Sequence, residues 1–194
     1  MKFETHPFAE RLAAELEARG AILEGHFLLS SGRHSGRFIQ KFRLLEDPCL
    51  VEIVARAIAE QARTYAPTVV VSAAVGGIVL GYEVARQLGT LAIFVEKEQG
   101  VPTLRRGFRL ASGDRALVIE DVVTTGLSVR EVIEVVRASG ASVAAVAVAV
   151  RREAVDFGFP TIALLEIPVE SYDAADCPLC VQRVALTDPG SRRT

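Results

Sequence analysis

Glu120 and Asp121 are two adjacent carboxylates that stand directly after an apolar run, residues 116–119. The run predicts a buried parallel strand, and the carboxylates are then expected where this strand ends. A small, hydroxyl-rich turn follows at residues 124–128, with the sequence Thr-Thr-Gly-Leu-Ser. Carboxylates beside such a turn can accept hydrogen bonds from vicinal hydroxyl groups of a ligand.

The turn at residues 124–128 has the features of an anion site. Ser128 and Glu131 fit a capping box, which predicts that a helix begins at Ser128. Backbone N–H groups and hydroxyls would then meet at the positive end of this helix, an arrangement suited to one phosphate. A phosphate site beside a diol site indicates a ribose 5-phosphate as ligand. The alternative is an ordinary strand–turn–helix unit with an incidental acidic pair.

Predicted strands and helices alternate along the chain, which favours a mostly parallel sheet covered by helices on both faces. The predicted helices span about residues 7–19, 48–64, 78–88 and 128–140, with Asp47 as the N-cap of the second. The predicted strands lie at about residues 68–72, 91–95, 116–119, 142–150 and 161–167, and residues 21–40 are β-like. Ligands are expected at the carboxyl ends of the strands.

Length and composition favour a small-molecule enzyme or binding protein. The chain has 194 residues and a formal net charge of −2, which predicts one domain and argues against nucleic-acid binding. No apolar run approaches the roughly 18 residues of a membrane span, and residues 1–6 do not form a signal peptide. Three cysteines, an odd count, imply no disulfide framework, so we expect a cytoplasmic protein that binds no membrane.

Residues 116–128 resemble the phosphoribosyl diphosphate (PRPP) signature of the type I phosphoribosyltransferases. That signature is a hydrophobic run, two acidic residues, two apolar residues, then Thr-Thr/Ala-Gly and a small or hydroxyl residue. The segment is not a Walker loop or a dinucleotide fingerprint, because it lacks both Gly-Lys-Ser/Thr and G-x-G-x-x-G. The resemblance implies that PRPP is bound by Glu120, Asp121, Val122, Val123, Thr124, Thr125, Gly126, Leu127 and Ser128.

The same resemblance implies the α/β fold of this family, a parallel sheet flanked by helices with a small hood formed by N-terminal segments. It implies one domain over residues 1–194, with the hood at about 1–40, the core at about 47–167 and an irregular tail at about 168–194. A further loop, Val75, Gly76 and Gly77, matches the family loop that holds the pyrophosphate of PRPP. Without the signature, this loop would read equally well as a tight strand–helix turn.

Residues 96–107 are polar and predict a mobile loop. Orotate phosphoribosyltransferases have such a cationic loop, which reaches the active site of the partner subunit. Its usual Arg-Lys pair corresponds here to Glu96-Lys97, so the arginine is absent. The resemblance implies a catalytic, PRPP-binding Lys97 in a homodimer, with Arg105, or alternatively Arg106, replacing the missing arginine. A solvated charged loop is the alternative interpretation.

The base-binding side also resembles the orotate phosphoribosyltransferases. Residues 27–35 match their motif F-x-L-x-S-G-x-x-S, although the lysine often found at the position of Ser30 is missing. The resemblance places Phe38 and Ile39 next to the base and gives orotate contacts to Thr124 and Arg152. The alternative for residues 27–35 is an ordinary β-hairpin, and the alternative for Arg152 is a surface arginine without a ligand. Arg152 follows the predicted strand 142–150, where it could pair bidentately with a planar carboxylate.

The resemblance therefore implies the joining of orotate to PRPP, giving orotidine 5′-phosphate and pyrophosphate in pyrimidine synthesis. Glu120, Asp121 and Lys97 would be the catalytic residues, and Mg²⁺ would be held mainly by PRPP oxygens and water. One alternative is a phosphoribosyltransferase for another base, such as a purine. The other is a regulator on this fold that senses PRPP or nucleotides without catalysis, for which a DNA-binding extension is lacking.

Cys177 and Cys180 form a Cys-x-x-Cys pair near the end of the sequence. A zinc site needs about four ligands, and the only other thiol is Cys49. The three histidines, His6, His26 and His34, form no ligand cluster by spacing. Some bacterial and archaeal orotate phosphoribosyltransferases resemble this tail, including the Pro-Gly-Ser element at residues 189–191. We therefore expect a structural tail and no protein-held metal.

Overall fold

The computed structural model of the protein describes residues 7–29 and 31–189. The strands are β1 (Ile22–Leu28), β2 (His34–Ile39), β3 (Val69–Ala73), β4 (Leu91–Glu98), β5 (Val101–Leu104), β6 (Arg115–Val123), β7 (Ser142–Arg151), β8 (Thr161–Glu166) and β9 (Ser171–Tyr172). The α-helices are α1 (Pro7–Ala18), α2 (Phe42–Leu45), α3 (Pro48–Ala62), α4 (Gly76–Leu88), α5 (Leu127–Ala138) and α6 (Pro178–Val181). Short 3₁₀ turns lie at Arg63–Tyr65 and Ala174–Asp176.

The larger of two sheets has six strands in the order β5-β4-β3-β6-β7-β8. Every neighbouring pair is parallel except β4 and β5, which form an antiparallel hairpin at one edge. The predicted parallel sheet with helices on both faces is confirmed. The carboxyl ends of β3, β6 and β7 lie side by side, so the loops that follow them meet at one edge of the sheet.

The core of the protein lies on the two faces of this sheet. Side chains of β6 alternate between them, with Leu117 and Ile119 packing in one cluster and Ala116 and Val118 in the other. Helices α1, α3 and α4 cover the first face, and α5 covers the second. Because both faces are buried, the strand reads as a continuous apolar run and not as an alternating one.

Helix α3 begins as the sequence predicts. The Asp47 side chain accepts hydrogen bonds from the backbone N–H groups of Cys49 (2.9 Å) and Leu50 (3.4 Å). Pro48 occupies the first turn, where a missing N–H costs nothing. These N–H bonds, together with Arg19, lower the pKa of Asp47.

The smaller sheet has the order β1-β2-β9, and we call it the hood after the predicted N-terminal unit to which β1 and β2 belong. Strands β1 and β2 are an antiparallel hairpin, and β9 pairs with the start of β2. Thr187 adds backbone hydrogen bonds to β1, accepting from Leu28 N (2.9 Å) and donating to His26 O (2.8 Å). The segment predicted to be an irregular tail therefore supplies a strand and the short helix α6. The division into hood, core and tail stays a prediction.

Two predicted boundaries are wrong. Strand β6 does not end at Ile119 but continues to Val123, because its pairing with β7 extends that far. Residues 96–107, predicted to be a mobile loop, form the end of β4 and all of β5. His6, Ser30 and Gly190-Ser191 lie outside the described residues. Among the residues described, no helix is both long and apolar enough to cross a membrane.

Candidate active site

The carboxylate pair, Glu120 and Asp121, is buried near the carboxyl end of β6, with relative exposures of 7% and 2%. Oδ1 of Asp121 accepts a hydrogen bond from Val122 N at 2.7 Å, and Oε1 of Glu120 accepts one from Asp121 N at 3.2 Å. The pKa of Glu120 is raised because burial and the neighbouring Asp121 disfavour its charge, while Lys41 partly opposes this.

Lys41 is a site residue that the sequence analysis missed. Its Nζ lies 3.0 Å from Oδ2 and 3.2 Å from Oδ1 of Asp121, and its side chain is 37% exposed. Lys41 follows β2, so the hood delivers this cation to a carboxylate of the core. The sequence offered one signal for Lys41. Lysine is rare in this chain and occurs only at positions 2, 41 and 97.

The glycine turn, Val75 to Gly77, joins β3 to α4 and packs directly on the carboxylate pair. A Cβ on Gly76 would lie 1.8 Å from Oδ2 of Asp121 and 2.9 Å from Nζ of Lys41. A Cβ on Gly77 would lie 3.3 Å from Oε1 of Glu120. Val75 is exposed, and the peptide bond that precedes it is cis. Glycine is thus required where this backbone meets the carboxylates.

The phosphate turn, residues 124–128, connects β6 to α5. The predicted capping box is wrong, because α5 begins at Leu127 with Gly126 as N-cap and no side-chain cap hydrogen bond. Glu131 instead accepts a hydrogen bond from Lys97 at 2.7 Å. Thr125, Leu127 and Ser128 are exposed. The first N–H groups of α5 therefore have no side-chain acceptor at the N-cap and suit an anion.

Gly126 has a structural reason to be glycine. Its φ of +78° lies in the left-handed region, and a Cβ would sit 2.8 Å from the Phe157 ring and 2.9 Å from Val155 Cγ1. Gly126→Val is a direct way to obstruct the backbone of this turn. The structure makes this substitution unsuitable, because it would strain the backbone and displace Phe157.

The β4–β5 hairpin carries the cations that were predicted to act on PRPP. Lys97 pairs with Glu131 of α5, and Arg105 Nη2 lies 3.2 Å from Glu98 Oε1. Arg106 donates to both oxygens of Glu96 at 2.9 Å and 3.3 Å, and these bonds lower the pKa of Glu96. Each cation is therefore paired with a glutamate of the same chain.

The two arginines at the end of β7 differ in their partners. Arg151 donates to Glu166 across the neighbouring strand β8. Arg152 donates its backbone N–H to Val123 O at 2.8 Å, which sets it beside Thr124. Its side-chain Nε is buried without a hydrogen-bond partner among the described residues, and burial lowers the pKa of Arg152. An unsatisfied buried guanidinium nitrogen fits a ligand carboxylate.

Of the two residues predicted near the base, Ile39 is the one that lies close to the carboxylate pair. It is 7% exposed and lines a small cavity together with Lys41, Asp121 and Val122. Phe38 packs against Phe27 with ring centroids 5.8 Å apart.

Comparisons with known proteins identify the family. Residues 43–156 match the family described as "Phosphoribosyl transferase domain". An orotate phosphoribosyltransferase from Pelotomaculum thermopropionicum is 48% identical over 186 residues, covering 95% of this chain and 98% of the relative. The chain belongs to the orotate phosphoribosyltransferase family.

Two further comparisons, one of sequence and one of structure, support this family membership. An orotate phosphoribosyltransferase from Caldanaerobacter subterraneus subsp. tengcongensis is 45% identical over 186 residues, covering 95% of this chain and 98% of the relative. The crystal structure of orotate phosphoribosyltransferase from Aeropyrum pernix superposes with a TM-score of 0.70 at 28% identity. That superposition covers 80% of this chain and 93% of the other.

One prediction about metal ligands is wrong. The histidines were expected to form no ligand cluster, but His26 and His34 meet Cys177 and Cys180 between the hood and the C-terminal segment. The sequence analysis missed this cluster because its two halves are separated by more than a hundred positions. A Cys-x-x-Cys pair was the available signal, and the hairpin β1–β2 places both histidines on one side of it.

Proposed function

We propose that the protein transfers the 5-phosphoribosyl group from PRPP to orotate, forming orotidine 5′-phosphate and pyrophosphate. The observation that carries this proposal is the buried pair Glu120 and Asp121, packed against the glycine turn and followed by the open N-terminus of α5. These three features offer separate sites for a diol, a pyrophosphate and a phosphate. Family membership supports orotate over a purine as the accepting base.

The 5-phosphate would bind the N–H groups of the phosphate turn, with Thr124, Thr125 and Ser128 adding hydroxyls. The ribose hydroxyls would donate to Glu120 and Asp121. In the reaction, the bond between C1 and the pyrophosphate oxygen breaks, and a bond between C1 and the base nitrogen forms. Pyrophosphate leaves with the electron pair and accepts, through water, the proton that the base nitrogen loses. The carboxylates beneath the sugar favour the positive charge that develops on the ribose.

The pyrophosphate would lie at the glycine turn, where the exposed Val75 precedes the buried Gly76 and Gly77. Lys41 is the nearest cation in the described chain, since its Nζ lies within 2.9 Å of where a Gly76 Cβ would be. We assign Lys41 a share in holding the leaving group, beside its ion pair with Asp121. Lys97 and Arg105 would act after exchanging Glu131 and Glu98 for phosphate oxygens.

Orotate would lie between the hood and the end of β7. Arg152 would pair with its carboxylate, because its guanidinium has no side-chain hydrogen bond or ion pair among the described residues, whereas that of Arg151 is bonded to Glu166. Thr124 and Ile39 would contact the ring, and Phe38 would support Ile39 from the hood. Arg151 would stay with Glu166.

The residues present fit Mg²⁺ held mainly by its ligand. Asp121 Oδ2 is buried and forms an ion pair with Lys41 without a hydrogen bond. A single carboxylate pair, partly neutralised by a lysine, is too small a set to enclose Mg²⁺ but can hold its water ligands. When bound to PRPP, the ion would neutralise charge on the departing pyrophosphate.

We further propose a cytoplasmic homodimer with shared sites, acting on PRPP and orotate. Lys97 is 52% exposed and lies on an edge hairpin whose Val101 is also exposed, which suits a role at a neighbouring subunit. The three free cysteines fit a reducing compartment.

The test is the loss of orotate absorbance with PRPP and Mg²⁺, with adenine and uracil as control bases. We expect turnover with orotate alone. Turnover with adenine but not orotate would replace this proposal with the purine alternative. PRPP binding in calorimetry without turnover on any base would favour the regulator.

A further inference from the structure

Four side chains of metal-ligand type meet outside the candidate active site. His26 lies in β1 and His34 begins β2, while Cys177 and Cys180 flank and enter the short helix α6. One ligand atom from each residue lies within 4.8 Å of the other three. We call this set the His–Cys cluster.

We propose that the His–Cys cluster binds one Zn²⁺ ion in a closed structural site. Tetrahedral zinc, with Zn–S near 2.3 Å and Zn–N near 2.05 Å, sets nitrogen and sulfur about 3.5 Å apart. The observed distances are 3.5 Å from Cys177 Sγ to His26 Nε2, 3.8 Å from Cys180 Sγ to the same nitrogen, and 3.3 Å from Cys180 Sγ to His34 Nδ1. The spacing therefore matches a tetrahedron of this size.

The two histidine nitrogens lie closer together than a bound zinc ion would place them. His26 Nε2 and His34 Nδ1 lie 2.9 Å apart, whereas tetrahedral zinc would separate them by about 3.3 Å. A movement of a few tenths of an ångström would admit the ion. Without it, one ring donates a hydrogen bond to the other.

The tautomer of the His26 ring follows from the hydrogen bond that its Nδ1 makes. Nδ1 lies 2.8 Å from the backbone carbonyl of Val184, and a carbonyl can only accept, so Nδ1 carries the hydrogen. In the neutral ring, Nε2 then presents its lone pair to the sulfurs. This is the second hydrogen bond that metal-binding histidines commonly make, which orients the ring and raises its basicity.

The chemistry of the set favours zinc over other cations. Two thiolates and two imidazoles select zinc, whereas Mg²⁺ and Ca²⁺ require oxygen ligands. His26, His34 and Cys177 are buried, with exposures of 2%, 6% and 0%. Both cysteines are free thiols in this structure.

A metal here would reinforce the contacts that hold the C-terminal segment on the hairpin β1–β2, which include hydrogen bonds from Arg33 to Ser171 and from Ser35 to the Glu170 carbonyl. Strand β9 has only two residues, and the bridge through Thr187 adds two backbone hydrogen bonds to β1. Arg33 adds an ion pair with Asp173 at 2.8 Å, largely exposed. Zinc would therefore fix the C-terminal segment onto the hairpin β1–β2, whose far end leads to Lys41. The proposal does not depend on the enzymatic activity.

The first measurement is the metal content of untagged protein purified without chelators, by plasma mass spectrometry. We expect about one zinc per chain, as a closed four-ligand site holds one ion. Cys180→Ser and His34→Asn should lose zinc, whereas Cys49→Ser, which removes the exposed thiol of α3, should retain it. Retention in all three variants, or loss in Cys49→Ser alone, would overturn the assignment.

Cobalt replacement tests the same site without any variant. Co²⁺ added to the reduced, metal-free wild-type protein should give the strong visible bands of tetrahedral cobalt and a near-ultraviolet thiolate band. One equivalent of Zn²⁺ should abolish both, and zinc should raise the Tm of the wild type but not of Cys180→Ser. Absence of cobalt bands with both thiols reduced would reject the site. A Cys177–Cys180 disulfide, seen as a mass lower by two hydrogens in protein isolated under reducing conditions, would also reject it.

Discussion

Lys41 Nζ lies 3.0 Å from Oδ2 of Asp121, so a cation of the hood is paired with a buried carboxylate of the core. Asp121 is 2% exposed and would be costly to bury unpaired. The ion pair therefore offsets the cost of burying this carboxylate and couples the segment after β2 to the carboxyl end of β6.

Lys41→Ala should lower kcat/KM for PRPP by roughly 10- to 1000-fold, through lost positioning and electrostatic stabilisation. Lys41→Arg should recover part of this loss, because it keeps the charge. Arg43→Ala is the matched control, since Arg43 lies two positions away and pairs only with the exposed Glu46. Steady-state assays at varied PRPP distinguish the variants. Equal activity of Lys41→Ala and Arg43→Ala would remove Lys41 from the site.

Glu120→Gln should change how stability depends on pH. The folded protein raises the pKa of Glu120 above its ordinary value of 4.5. Its contribution to stability is therefore fully present below pH 4.5 and is lost as pH rises through the folded pKa. Glutamine cannot ionise, so the Tm of the variant should rise relative to that of the wild type as pH increases above 4.5, by roughly 2–4 °C per kcal/mol.

The control for this measurement is Glu134→Gln, at an exposed position of α5. Its Tm should follow the wild type across the same pH range. A constant difference between Glu120→Gln and wild type at every pH would contradict the raised pKa of Glu120.

Ser128→Asp should separate phosphate binding from folding. An acidic residue in the first turn of α5 stabilises the helix by about 0.3–1 kcal/mol, but it would repel the 5-phosphate at the same place. We expect unchanged or higher Tm and a KM for PRPP raised about tenfold, the equivalent of roughly 1.4 kcal/mol. Ser128→Asn, uncharged and of similar size, should have a much smaller effect. Equal KM values for Ser128→Asp and Ser128→Asn would show that the phosphate does not bind at this helix end.

Arg152→Ala should raise the KM for orotate by roughly 10- to 100-fold, because a hydrogen bond to a charged group contributes about 1.5–3 kcal/mol. The KM for PRPP should change little, and the preference for orotate over uracil should shrink. Arg151→Ala should do much less, since it loses only the pair with Glu166. Interchanged effects of the two variants would mean that the orotate carboxylate meets Arg151.

Lys97→Ala and Asp121→Asn subunits, each nearly inactive alone, should regain activity when mixed and re-associated. If Lys97 serves the neighbouring subunit, each hybrid dimer has one intact site, and random association restores about a quarter of wild-type activity. If Lys97 serves its own subunit, both sites of the hybrid are defective. Native mass spectrometry confirms that hybrids form, and verified hybrids without activity would rule out the shared site.

Local sequence patterns predicted the elements that depend on nearby residues. The N-cap Asp47, the apolar strand leading to Glu120 and the glycine turn at Gly76 were all recognisable, because each depends on a few consecutive positions. At the start of α5 two local signals competed, the capping box at Ser128 and the glycine at position 126, and the prediction relied on the capping box. Ser128 and Glu131 fit a capping box, but Gly126 adopts positive φ and becomes the N-cap, which leaves Glu131 free to pair with Lys97.

The residues that sequence analysis missed are joined by the fold and not by spacing. Lys41 meets Asp121 across 80 positions, and His26 meets Cys177 across 151. No periodicity or turn preference carries such a relationship. Strand β6 was cut short for a similar reason, since only its pairing with β7 shows that two carboxylates lie inside the strand.

The route of the chain through the small sheet has a consequence for biosynthesis. Strand β9 and Thr187 follow the whole six-stranded sheet in the sequence, yet they complete the layer that β1 and β2 begin. A ribosome therefore releases the first hairpin long before the segment that covers it, and the six-stranded sheet can assemble in between. The six-stranded sheet can therefore be complete before the small sheet is, and a chain that stalls near its end would carry a folded core beside an unfinished small sheet.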